Sequence, residues 1–199
     1  MKKVFLLGLW CFVIALSISV LYLRYIFSDF NQSVDHQRVD LLIEEIKSAE
    51  IYGEVVYDTY NQIYDEALER SYLGKFTYDL FGKIKECPCY TVASATSSTI
   101  INYSSNHLAE NRYNIARILE EQVSQKECLN YILANFNYSY NKIGIGEAAR
   151  FYYQKELNDL EQKELVGLLI MEKNPMIYNP KRSPERHTRK VAELMKNIK

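Results

Sequence analysis

Glycine and proline are scarce here, seven and four residues in 199, and no segment shows sustained apolar–polar alternation. That combination excludes a strand-rich architecture and leaves a mostly helical one. There is no internal repeat and no low-complexity tract. Charge of one sign is also lacking: 24 basic and 25 acidic residues leave a net charge of −1, which gives no reason to expect a nucleic-acid partner. Cysteines number four. Cys87-Pro88-Cys89 lacks the C-x-x-C spacing of a redox pair, and no histidine stands near it for zinc, so no metal site is expected. Cys11 sits in an apolar run. The other three allow one bridge and one free thiol, with Cys128 paired to Cys87 or to Cys89.

What is present begins with Val4–Leu23, twenty residues without a charge. As a helix this run reaches ~30 Å, the thickness of a bilayer core. Lys2 and Lys3 precede it, which puts the N-terminus on the cytoplasmic side. A cleaved signal would have a shorter apolar core followed by small residues, whereas this run ends in the bulky Leu21-Tyr22-Leu23-Arg24-Tyr25. The expected organisation is a cytoplasmic tail at 1–3, a transmembrane anchor at 4–24, a juxtamembrane linker helix at 25–50, and one domain at 51–199.

Helical signals follow one another through that domain. Ser33–Lys47 predicts a short helix with Leu41, Leu42 and Ile46 on one face, and a tyrosine stripe from Tyr57 to Tyr72 recurs at helical spacing. Cys87–Ser98, with Pro88 and a Ser/Thr/Ala run, reads as a break, and a helix resumes over Asn114–Gln122. Ser124-Gln-Lys-Glu127 is a capping box opening a helix with Cys128, Leu129, Ile132, Leu133 and Phe136 on one face. Ile145, Ala148, Ala149 and Tyr152 repeat at i, i+3, i+4, i+7, and small alanines permit close helix approach. Asp159 is expected to cap a helix carrying Leu165, Leu168 and Leu169. Ser183-Pro184-Glu185 starts a last helix with Val191, Leu194, Met195 and Ile198 inward. Its outer face holds Arg186, Arg189, Lys190 and Lys196, which beside a membrane can meet lipid phosphates.

The order and spacing of these blocks resemble the C-terminal half of the family 51 peptidoglycan glycosyltransferases. Ser124–Leu129, Gly144–Lys155, Asp159-Leu160 with Glu164, Pro175-Met-Ile-Tyr-Asn-Pro180 and Arg189–Leu194 stand where that family has its distal motifs. The resemblance implies a lysozyme-like helical domain behind a single-pass anchor in the bacterial inner membrane, outside the cytoplasm. It also implies lipid II or peptidoglycan glycan as partner, other envelope proteins as possible contacts, and Mg²⁺ if the protein is active. The family's general-base glutamate falls on Asp65–Gly74, making Glu66 and Glu69 the candidates, although the surrounding Asp, Phe, His and Gly are not all matched. Ser98 and Thr99 stand in the cleft motif, with Asn102 and Tyr103 in place of its glutamines. Arg112 stands where the second glutamate belongs, and Lys155 closes the distal block; Ser98, Thr99, Arg112 and Lys155 are the substrate-contacting candidates. Two functions follow. One is a divergent glycosyltransferase, and the other a non-catalytic scaffold that keeps the fold. Lytic cleavage ranks below both, because no buried glutamate stands out.

Overall fold

The computed structural model describes residues 10–22, 34–83, 85–101 and 108–198. Residues 10–22 are helical (α1). Among the described residues no helix is long and apolar enough to cross a membrane; the rest of Val4–Leu23 lies outside them. The body is built from α2 (His36–Ser48), α3 (Glu54–Ile63), α4 (Tyr72–Leu80), α5 (Pro88–Ile100), α6 (Leu108–Glu120), α7 (Gln125–Asn135), α8 (Ile145–Tyr153), α9 (Gln162–Met171) and α10 (Pro184–Leu194). Among the described residues there is no strand, only isolated bridges pairing Val34 with Ile101 and Asn137 with Ile143. The expectation of a mostly helical protein holds.

Helix α7 is the central element. Its capping box is formed in full: the Ser124 side chain accepts from the Glu127 amide, and the Glu127 carboxylate accepts from the Ser124 amide at 2.7 Å. The helix then buries two faces. Leu129 and Leu133 join a cluster with Tyr57 and Tyr60 of α3, Ile145 and Ala148 of α8, and Leu168 and Leu169 of α9. Cys128 and Ile132 join a second cluster with Val39 and Ile43 of α2, Val92 and Ala93 of α5, and Ile115 and Leu119 of α6. Cys128 is bridged to Cys89, which ties α7 to the start of α5 across 39 residues of sequence. By chain entropy such a loop is worth up to ~4 kcal/mol. Cys87 is left as a buried free thiol, whose pKa burial pushes up to about 12.

Several boundaries differ from the sequence expectation. In α2 the buried residues are Val39, Leu42, Ile43 and Ile46, the cap is Asp35, and Leu41 is exposed. The buried set repeats at i, i+3, i+4 and i+7 from Val39, and Leu41, two residues after Val39, falls off that face. The tyrosine stripe is not one helix, because α3 ends at Ile63 and Tyr72 begins α4. Cys87–Ser98 is not a break. Pro88 occupies the first helical turn of α5, where its missing N–H costs nothing, and Ser97 and Ile100 are buried further along. Asp159 closes a short 3-10 turn at Leu157–Asp159. The cap of α9 is Glu161, in a reciprocal box with Glu164.

The Gly144–Lys155 block is explained by packing. Gly144 has φ +85°, and a Cβ there would sit 3.0 Å from the Ala134 carbonyl oxygen at the end of α7. Ile145, Ala148 and Ala149 are fully buried. The Tyr152 hydroxyl donates to the Tyr138 carbonyl at 2.7 Å and accepts from Asn179 at 2.8 Å. Tyr153 reaches His187 Nε2 at 3.3 Å, over Gly167, where a Cβ would lie 2.9 Å from the His187 ring. His187 thereby pins α10 onto α9.

Two outcomes follow. Gly144→Ala lowers stability by about 1–3 kcal/mol in denaturant titration, through the left-handed backbone and the Ala134 contact. Burial holds the His187 pKa below 6.5, partly opposed by its bond to the Tyr178 carbonyl. A histidine whose folded pKa is depressed contributes stability that is present above 6.5 and lost as pH falls through the folded value. Thermal melts therefore lose stability on acidification below pH 6.5, and His187→Gln shows a shallower loss.

Candidate functional site

Among the described residues two turns hold successive non-glycine residues in the left-handed region, the one after α3 and Ser139–Asn141 (φ 73°, 52° and 56°). Asp65 and Glu66 both lie in the left-handed region, with φ 56° and 60°. Successive non-glycine residues there cost about 1 kcal/mol or more each unless held from outside. Asn61 supplies the hold: its carbonyl accepts from the Glu66 amide at 2.9 Å and its side-chain oxygen from the Leu68 amide at 2.8 Å.

The turn delivers Asp65 to a group of charges. Lys85 donates to the Asp65 carboxylate, and Arg70 lies 3.9 Å from the same oxygen. Hydrogen bonding to Lys85 holds the Asp65 carboxyl below its ordinary pKa. Arg70 also donates to the carbonyls of Asp65 and Glu86. Both cations lie 5.6 Å from the centre of the Tyr78 ring on α4. Behind them, Lys173 pairs with Glu86 at 2.6 Å and with Glu172 at 2.5 Å. Glu172 is buried, and burial raises its pKa despite Lys173. Burial opposes the charge on Lys173, but the two glutamates outweigh it and raise its pKa. The hydroxyls of Tyr60 and Tyr138 are buried without hydrogen-bond partners among the described residues.

The residues singled out from sequence are not gathered in this way. Glu66 and Glu69 flank the turn and are exposed. Ser98 and Thr99 are exposed near the end of α5, where the Thr99 hydroxyl donates back to Thr96 at 2.7 Å and its carbonyl accepts from Arg38. Arg112 is half-buried on α6, its Nε without a hydrogen-bond partner among the described residues. No bond or ion pair among those residues joins it to Glu66 or Glu69. Lys155 pairs with Glu164 at 2.9 Å and lies 3.8 Å from Glu161, tying the end of α8 to the start of α9. Asn102 and Tyr103 lie outside the described residues.

Asp65, Arg70, Lys85, Glu86, Glu172 and Lys173 were not chosen from sequence. A signal existed for the last pair. Glu172-Lys173 directly continues the buried run Leu165–Met171, and an acid–base dipeptide abutting an apolar run is a candidate buried ion pair.

The surroundings of the cluster are amphipathic. On and just after α4, Leu73, Phe76 and Phe81 are exposed. Elsewhere, α2, α5 and α7 enclose a groove of about 250 Å³ lined by Leu41, Leu42, Ile100 and Tyr131 among others.

Comparison with known proteins bears on the distal half of this arrangement. Residues 104–199, from α6 to the C-terminus, match the Transglycosylase family model. The chain carries a family 51 transglycosylase-like domain. A stretch of 81 residues is 27% identical to penicillin-binding protein 4 of Bacillus subtilis, covering 41% of this chain and 13% of that protein. The match thus spans only a small part of that relative's length.

Mg²⁺ finds no ready seat among the described residues of this transglycosylase-like chain. Among the described residues no three His, Cys, Asp or Glu side chains converge to hold a metal. Asp65 is engaged by Lys85, and Glu86 by Lys173.

Removing the central ammonium tests the inner part of the cluster. Lys173→Met leaves Glu172 and Glu86 without their shared counter-charge and lowers stability by about 3 kcal/mol at neutral pH. The loss shrinks as pH falls toward 5, because a protonated Glu172 no longer needs the ammonium. Urea titrations at the two pH values measure the difference.

Proposed function

We propose that this chain is a membrane-tethered, transglycosylase-like protein of the bacterial cell envelope that binds lipid II, the undecaprenyl-pyrophosphate-linked disaccharide-peptide, without polymerising it efficiently. The family match over α6–α10 supports the substrate class, with a lysozyme-like body presenting it. Lys85 beside Tyr78 is a partly exposed cation suited to a diphosphate, while Arg70, its side chain 8% exposed and bonded to the carbonyls of Asp65 and Glu86, braces the turn behind it. The exposed Leu73, Phe76 and Phe81 suit the polyprenyl chain. The apolar run at 4–24 serves as the anchor, with the domain outside the cytoplasm.

The observation that carries the non-catalytic side is the state of the three acids at the α3 turn. A general base works best with a pKa near the operating pH and a fixed approach to the hydroxyl. Asp65 is engaged by Lys85 and held below its ordinary pKa, so it is a weak proton acceptor. Glu66 and Glu69 are exposed. Loss of a positioned base removes about 10²–10⁴ in rate.

The test uses the purified full chain with lipid II in detergent, first without and then with Mg²⁺. Lipid II is expected to co-elute with the protein, while glycan chains form at least about a hundredfold more slowly than with an active family member. Lys85→Ala should weaken co-elution. Absence of co-elution from the wild type would falsify the reading. Rapid polymerisation abolished by Glu66→Gln or Glu69→Gln would replace it with the enzymatic one.

A further inference from the structure

The loop after α9 and the first turns of α10 form a second surface, away from the Asp65 cluster and not used by the function proposed above. Between Met176 and Glu193 the sequence has five cations, Lys181, Arg182, Arg186, Arg189 and Lys190, against two acids, Glu185 and Glu193. That excess stands out in a chain of net charge −1. One of the two acids is already engaged, since Glu193 pairs with Lys190 at 2.7 Å. Arg186 and Arg189 are exposed and make no hydrogen bond or ion pair among the described residues. With Lys190, Tyr178, Ile177 and the Lys190-paired Glu193 they line a depression of about 330 Å³, wide enough for a phosphate group.

Apolar side chains project from the same edge. Met176 is 50% exposed and Ile177 38%. Met176 also lines the adjoining depression with Tyr140, 56% exposed, and Arg182. Ser139 donates to the Pro175 carbonyl at 3.3 Å, holding the turn that carries Tyr140 against this loop. Asn179 fixes the loop from inside, accepting from the amides of Lys181 and Arg182 at 2.9 and 3.1 Å. The aromatic and aliphatic tips are therefore presented on a braced backbone, with Arg182 donating to Met176 Sδ at 3.4 Å and the unpaired Arg186 and Arg189 beside Ile177.

Cations alone would suit any polyanion. Cations interleaved with exposed apolar tips suit a bilayer surface, where headgroup phosphates and the acyl boundary are met together. We propose that this edge docks onto an anionic phospholipid surface, with the Arg186–Arg189–Lys190 depression receiving a headgroup phosphate and Tyr140, Met176 and Ile177 entering the interface. Docking would fix the orientation of the domain on the bilayer, which a membrane anchor alone does not.

The full chain is reconstituted into nanodiscs of phosphatidylcholine alone or with one-third phosphatidylglycerol, and amide hydrogen exchange is followed over 139–143 and 174–190. Exchange in both segments is expected to slow roughly tenfold with the anionic lipid only. Arg186→Glu with Arg189→Glu should abolish the difference, and Met176→Ser with Ile177→Ser should reduce it. Equal exchange in the two lipids overturns the proposal. So does equal protection by soluble polyphosphate in zwitterionic discs, or an unchanged difference in the serine variant, both of which assign the edge to a soluble polyanion. These readouts do not involve lipid II, so they stand or fall apart from the function proposed above.

Discussion

Helix α7 has apolar residues on two faces at once, and both must be covered. Leu129 and Leu133 turn toward α3, α8 and α9, while Cys128 and Ile132 turn toward α2, α5 and α6. A helix apolar over so much of its circumference is stable only when enclosed. Its polar residues are placed accordingly. Asn130 accepts from the Tyr57 hydroxyl at 2.8 Å, and Gln125 accepts from the Cys89 amide at 2.9 Å while donating to Glu120 at 2.7 Å. Each is a buried group whose hydrogen bonding is met by a different neighbouring element, so α7 sets the relative positions of the helices around it. The Cys89–Cys128 bridge adds a covalent constraint at the same place.

The Asp65 turn is a consequence of that enclosure. α3 lies against α7 and α9 through Tyr57, Tyr60 and Ile63, and the chain must then double back to start α4. It does so through two left-handed residues in succession. The charges nearby show how differently depth treats ion pairs. Asp65 is 70% exposed, so its contact with Lys85 is screened and worth little. Lys173, Glu86 and Glu172 are largely removed from water, where losing one partner is costly. The outer pair is free to exchange partners with a ligand, and the inner triad is structural.

How much was legible in the sequence follows the same division. The capping box at Ser124, the α8 core residues and the Leu165–Leu168–Leu169 face were readable, because helical period and cap chemistry are local properties. The α7 residues expected on one face divide between two clusters, Leu129 and Leu133 in one and Cys128 and Ile132 in the other. The reading of α5 as a break failed because Pro88 has two opposite meanings, breaker inside a helix and favoured residue in its first turn, and flanking sequence alone did not choose between them. The tyrosine stripe was misread as continuous because the period persists through the turn by coincidence: Tyr64 and Leu68 still face the core after the helix has ended. Arg70, Lys85 and Lys173 were missed for a different reason. They come from three separate segments and meet only through tertiary packing.

The proposed function has fold and site surviving unequally, and that has a physical basis. A core position tolerates any side chain of roughly the right volume, so α6–α10 can keep a family's pattern while individual residues change. A proton-transfer group tolerates far less, since it must stay within about 0.5 Å of its productive position and near the working pH in pKa. Asp65, with Lys85 in contact, is held below its ordinary pKa and fails the second requirement. Binding a diphosphate asks only for accessible positive charge, which the partly exposed Lys85 would supply under the proposed function. Substitution therefore removes turnover before recognition, and a chain with this packing and these charges is expected to recognise the lipid-linked sugar better than it transforms it.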